Sequence, residues 1–109
     1  MNRRSRRYLL IRFLTKEAVS AKVLEQTVRR SVEEMIGKFG SAEMNMRVIG
    51  IQETDGKGIL RCKSQRVESL RAVLALITNI DGTPAAAMVL RSSGTIKALK
   101  AGIPRRPRA

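Results

Sequence analysis

From Tyr8 to Leu14 the side chains divide by alternation. Leu9, Ile11 and Phe13 fall on one side, and Tyr8, Leu10, Arg12 and Leu14 on the other, as in a strand buried over much of both faces. Past the polar Lys16 to Ser20 connection the period changes. Leu24, Val28, Val32, Met35, Ile36 and Phe39 recur three and four apart, which predicts a first helix from Ala21 to Phe39. Ser20 is its expected N-cap, with Thr15 as the alternative, and Gly40 its expected C-terminal cap. Met46 to Glu53 and Gly58 to Lys63 flank Thr54-Asp55-Gly56-Lys57, which predicts strands 2 and 3 joined as a hairpin with Asp55 and Gly56 both at positive φ. Ser64 is then expected to cap a second helix, whose stripe Val67, Leu70, Val73, Leu74 and Ile77 ends near Asp81-Gly82. Ala85 to Arg91 reads as strand 4. After it, Ser92-Ser93-Gly94-Thr95 reads as a turn and cap, Gly94 supplying an awkward backbone angle, that feeds a short basic helix from Ile96 to Ala101.

The order strand, helix, strand, strand, helix, strand predicts an α+β, ferredoxin-like (RRM-like) βαββαβ sandwich. Its four-stranded antiparallel sheet carries both helices on one face, with a basic C-terminal helical extension. Residues 1–7 read as a basic N-terminal arm, 8–101 as the domain and 102–109 as a basic C-terminal tail. The second sheet face is expected to be open. The strand phases place Tyr8, Leu10, Arg12, Leu14, Ile59, Arg61, Lys63 and Arg91 on it, a mixture of aliphatic and basic groups that calls for a partner.

Charge identifies the kind of partner. The 109 residues hold 22 Lys and Arg against 9 Asp and Glu, a formal net charge of +13. Met1 to Arg7 and Arg91 to Ala109 contain ten of the cations and no acid. Charge displayed in this way suits neutralisation of phosphates with release of their counterions. A membrane surface fits less well, since neither end offers an apolar face and no run of about 18 apolar residues exists.

Candidate chemistry is sparse. The lone Cys62 excludes an internal disulfide, and without any histidine it has neither a zinc partner nor an activating base, so it reads as a small core residue. These features suit a cytoplasmic chain. Glu33 and Glu34 sit about 100° apart on a helix, a poor geometry for paired carboxylates, while Glu53 and Asp55 read as turn chemistry. No Walker-type glycine loop is present. No catalytic residue, bound metal or cofactor is therefore expected in this chain. An acylphosphatase-like enzyme of the same topology would need a phosphate-cradling loop after strand 1, and Thr15 to Ser20 contains neither glycine nor arginine. The only aromatics are Tyr8, Phe13 and Phe39, with none in Gly58 to Lys63, so contact is expected with phosphates and RNA shape rather than by stacking of bases. Tyr8 reads as partly buried in the core. The candidate RNA-binding residues are Arg6, Arg7, Arg12, Arg61, Lys63, Arg91, Ser93, Gly94, Lys97 and Lys100.

Four segments carry a resemblance: Arg7-Tyr8-Leu9-Leu10, Gly58-Ile59-Leu60-Arg61-Cys62, Leu70-Arg71-Ala72 followed by Leu76-Ile77, and Ser93-Gly94-Thr95-Ile96-Lys97. In order and spacing they resemble the family of protein component 2 of archaeal ribonuclease P, shared with a eukaryotic subunit of ribonuclease P and MRP. The resemblance implies a subunit that stabilises a catalytic RNA for removal of the 5′ leader from precursor tRNA. It further implies that catalysis and magnesium belong to the RNA subunit. The implied partners are ribonuclease P RNA, precursor tRNA, other ribonuclease P proteins and in particular component 3, as a heterotetramer with two copies of each. The Lys16 to Ser20 connection, the region between strands 2 and 3 and the Pro104 to Arg108 tail match no motif of that family. A general structural RNA-binding protein of ribosomal type is the alternative reading of the same charge.

Overall fold

The computed structural model describes residues 6–100 and runs β1 (Arg6–Thr15), α1 (Ala21–Met44), β2 (Arg47–Ile51), β3 (Lys57–Lys63), α2 (Val67–Ala75), β4 (Asn79–Ile80), β5 (Thr83–Ser93), α3 (Ile96–Lys100). All strand pairs are antiparallel, and the sheet order is β2-β3-β1-β5-β4. The alternation in β1 sends Leu9, Ile11 and Phe13 to the inner face, where they meet Leu60 and Cys62 of β3, Leu24, Val28 and Val32 of α1, and Leu70, Val73 and Leu74 of α2. Burying each such Leu or Val stabilises the fold by about 1.5–3 kcal/mol, and these residues form the main core. Cys62 belongs to it, as expected, and burial pushes its thiol up from 9.0 to about 11.

The sheet has five strands where the sequence pattern predicts four. The second helix stops at Ala75 rather than near Asp81, and Asn79–Ile80 pairs with Thr83–Pro84 as a small edge hairpin. Asp81 (φ 51) and Gly82 (φ 80) both take the left-handed conformation that a two-residue hairpin turn demands. At Asp55-Gly56, where that geometry was expected, only Gly56 is left-handed (φ 71). That connection is longer: Gly56 N–H donates to the Gln52 carbonyl at 2.9 Å and Gln52 N–H to the Lys57 carbonyl at 2.7 Å. A side chain at Gly56 would place its Cβ 2.5 Å from the Phe13 carbonyl oxygen, so the glycine also permits close packing of the loop on β1.

Helix α1 starts as predicted, with Ser20 Oγ accepting from Val23 N–H at 3.2 Å. It does not end at Phe39. A break at Gly37 (φ 74, ψ 179) interrupts it, and a further stretch continues to Met44, capped by Asn45 in the left-handed conformation. Only glycine adopts the Gly37 angles without strain. Past the break Phe39, assigned to the core stripe by periodicity, is 91% exposed, and Met44 fills the core instead. Met35 is likewise half-exposed. An unbroken apolar rhythm cannot signal a break inside it, which is why periodicity misplaces Phe39.

β1 takes in Arg6 and Arg7, which the arm was expected to contain, and β5 is longer at both ends than Ala85 to Arg91. Ser64 opens a 3-10 turn (Ser64–Arg66), with α2 starting at Val67, so it is not the helix N-cap. Gly94 does not adopt a positive φ. The outer face is also not fully open. α3 folds back onto it, where Leu99 (0% exposed), Leu10 (2%) and Ile59 (6%) form a second cluster edged by Tyr8 and Ile96.

Candidate nucleic-acid interface

Register fixes which side chains share the outer face. Arg61 of β3 is the cross-strand partner of Arg47 on one side and Tyr8 on the other, and Tyr8 is paired in turn with Ser93. On one flank of this row Lys63 faces Arg6. On the other, Leu10 lies between Ile59 and Arg91, and beyond it Arg12 lies between Lys57 and Met88. The outer face thus carries Arg6, Arg12, Arg47, Lys57, Arg61, Lys63 and Arg91. None of the nine acidic residues of the chain falls within a strand.

Three of these pairings, Arg47 with Arg61, Arg6 with Lys63 and Arg12 with Lys57, set like charges directly across from one another. Such pairs are destabilising in a free sheet. The ion pairs among the described residues all lie elsewhere: Glu25 with Arg29 at 3.0 Å on α1, Glu43 with Arg66 between α1 and the 3-10 turn, and Glu68 with Arg71 at 3.8 Å on α2. Acids therefore compensate cations in the helical layer and leave those of the sheet unmatched. A repulsion maintained across three strands is relieved when a polyanion lies on it.

The ends of the sheet differ as well. Where β1 ends, a cleft of about 340 Å³ is bordered by the β1–α1 and β2–β3 connections, which bring together Glu17, Glu53 and Asp55 with Arg12 and Lys16. Glu53 Oε2 accepts from Ala21 N–H at 2.7 Å, capping α1 across two loops, and Asp55 Oδ1 accepts from Lys57 N–H at 3.0 Å. A carboxylate therefore occupies the start of α1, where a phosphate-cradling enzyme would need open amides. The opposite end holds Arg6, Lys63 and Arg61 with Arg47.

Of the residues singled out from sequence, Arg6, Arg12, Arg61, Lys63, Arg91 and Ser93 share the outer face. Arg7 does not, because it pairs opposite Cys62 and so lies on the other side of the sheet. Gly94 and Lys97 are exposed in the turn and on α3. The turn itself offers less than expected: Ser93 Oγ accepts from Thr95 N–H at 3.2 Å and Thr95 Oγ1 from Ala98 N–H at 3.3 Å, so these amides already have partners. The side chain of Lys100 lies outside the described residues, as do residues 1–5 of the expected arm, residue 101 of the expected helix and the whole expected tail, 102–109. Arg47 and Lys57 were missed. Each is the first residue of its strand; Lys57 precedes the predicted start of strand 3 by one residue, in phase with Ile59 and Arg61, and the facing position of Arg47 follows only from the hairpin register, including the shift between Val48 and Gly50.

The fold and its charge define an α+β protein whose outer sheet face carries opposed, unpaired cations. Comparison with known proteins narrows this: the Rpp14/Pop5 family matches residues 7–103, and the chain belongs to that family. It is similar to ribonuclease P protein component 2 of Methanosarcina mazei, 34% identical over 95 residues that cover 87% of this chain and 80% of the relative. The protein of the same description from Pyrococcus furiosus is 29% identical over 98 residues, covering 90% of this chain and 82% of the relative. Among solved structures, a chain in the cryo-EM structure of yeast ribonuclease MRP has the same fold, with a TM-score of 0.67 at 14% identity over 84% of this chain and 76% of that one.

Proposed function

We propose that this chain is a protein subunit of ribonuclease P, whose outer sheet face binds and stabilises the catalytic RNA. The observation that carries the RNA contact is the set of like-charged cross-strand pairs on a face without acids, in a chain that belongs to the Rpp14/Pop5 family. On this view the β2-β3-β1-β5 portion of the sheet is a ferredoxin-like core with an added edge hairpin. Cations on that face lower repulsion among RNA phosphates, which lets the folded RNA approach its active form at lower magnesium. The face supplies no oxygen ligands suited to magnesium, so the reading assigns cleavage and its metal ions to the RNA. The substrate on this reading is precursor tRNA, processed at its 5′ leader in the cytoplasm. Other ribonuclease P proteins complete the particle, and component 3, in a heterotetramer with two copies of each, is the partner the reading names.

The test is cleavage of precursor tRNA by the RNA subunit at limiting magnesium, with and without this protein and component 3. Restored cleavage at the correct 5′ position, abolished when the RNA is omitted, is expected. Tight RNA binding with no rescue would contradict the reading and leave a general structural RNA-binding protein.

A further inference from the structure

On the outer face the row Arg47–Arg61 and the row Lys57–Arg12 are separated by the Gly50–Ile59 pair. Gly50 is a strand glycine at ordinary φ, and nothing lies within 4 Å of where its Cβ would be. Gly50 borders a notch of about 290 Å³, mostly apolar, lined also by Ile49, Ile51, Gln52, Lys57, Gly58 and Ile59. The glycine is not required by the backbone here, unlike Gly58, whose Cβ would stand 2.9 Å from the Gly50 carbonyl oxygen. The notch is too small for most organic ligands of drug size.

We propose that this notch seats the base of one unpaired nucleotide, with its flanking phosphates held by Arg47 and Arg61 on one side and Lys57 and Arg12 on the other. The inference rests on the RNA-binding reading above and deepens it. Arg61 and Lys57 stand four residues apart on β3, about 13 Å at the rise of a strand. Between them Ile59 is packed against Leu99 on its β1 side, and the notch opens on its β2 side, with Lys57 in the lining and the Arg47–Arg61 pair one row away along the strands. A nucleotide presents the complementary arrangement: a flat, poorly hydrated base between two anionic groups. A protein segment would have to bring an apolar side chain flanked by acids on both sides to match it. The walls are aliphatic, so the seat accepts a base without the aromatic platform that single-strand binders commonly use, and it takes any base of suitable size.

Gly50→Val tests this directly. The substitution fills the notch, suits a strand and meets no neighbouring atom at Cβ. Binding of wild type and variant is compared on a 12-nucleotide single-stranded RNA, the same strand with one abasic site at successive positions, and an RNA duplex, with thermal stability measured alongside. The expected result is about fivefold weaker binding of the single strand, the lower end of what seating one base contributes. Duplex affinity, salt slope and melting temperature should be unchanged, and an abasic site should weaken wild type but not the variant. Equal affinity of both proteins for the single strand overturns the proposal while leaving RNA binding by the face intact. Weakened binding of an Asp-Asp-Leu-Leu-Asp-Asp peptide with unaltered RNA affinity overturns it in favour of a protein segment. Failure of wild type to bind either RNA overturns the RNA-binding reading itself.

Discussion

The two faces of one sheet perform opposite tasks. On the inner face, Leu9, Ile11, Phe13, Leu60 and Cys62 are packed under α1 and α2, with no buried polar or charged side chain among the described residues. On the outer face the intervening residues of these two strands, with Arg47 of β2 and Arg91 of β5, carry seven cations, six of them in three directly opposed pairs. Leu60 and Arg61 are chain neighbours, yet one is buried in the core and the other stands among the cations of the outer face. Alternation lets a short chain keep both properties, because a strand directs successive side chains to opposite faces. The outer face is not purely a charged surface, however. α3 clasps it through Leu99, which anchors a small apolar cluster among the cationic rows.

The largest difference between the faces should come from Leu60→Ala, which opens a cavity in the fully buried core. It should lower stability by about 2–5 kcal/mol in denaturant unfolding, while the fraction that remains folded binds RNA with unchanged affinity. Leu99→Ala should have a smaller and local effect. Its cluster holds only α3 to the sheet, so amide exchange should accelerate in α3 with that of Leu9, Ile11 and Leu60 barely altered. Loss of protection throughout the sheet would show that the two faces do not act separately.

Cys62 sharpens the comparison from the inner side. Its thiol loses a proton at about 11 when folded and at 9.0 ordinarily. Because the folded state holds that proton more tightly, this contribution to stability is complete below pH 9.0 and is lost as pH rises through about 11. Cys62→Ala should remove that component, so the stability difference between the two proteins should change only in this alkaline window. Arg61→Ala should be smallest in stability, within about 0.5 kcal/mol of wild type, or slightly stabilising because it relieves repulsion with Arg47.

Much of this division is legible in the sequence, and the rest is not for identifiable reasons. The alternation in Tyr8 to Leu14 and the stripe through Leu24, Val28 and Val32 specify the core correctly, because burial follows periodicity where elements are regular. Phe39 escapes because a glycine break leaves the rhythm of the stripe intact while changing its direction. The edge hairpin at Asn79–Ile80 escapes because Ile77 and Ile80 continue the helical spacing of α2. At the interface, Arg12, Arg61, Lys63 and Arg91 follow from strand phase alone. Lys57 falls one residue before the predicted start of strand 3 although it is in phase with Ile59 and Arg61, and Arg47 depends on a hairpin register whose irregularity periodicity does not locate.

The central claim, that RNA lies on the sheet and not on the helices, is tested most directly by the salt dependence of affinity for ribonuclease P RNA in two triple variants. One removes Arg47, Arg61 and Lys63 from the outer face, and the other removes Lys22, Arg29 and Arg30 from α1, each by substitution with Ala. The account predicts that the outer-face variant loses about 0.7–0.9 of slope in log affinity against log salt for each phosphate contact removed, while the α1 variant follows wild type. An α1 variant with the reduced slope, beside an outer-face variant that matches wild type, would contradict it.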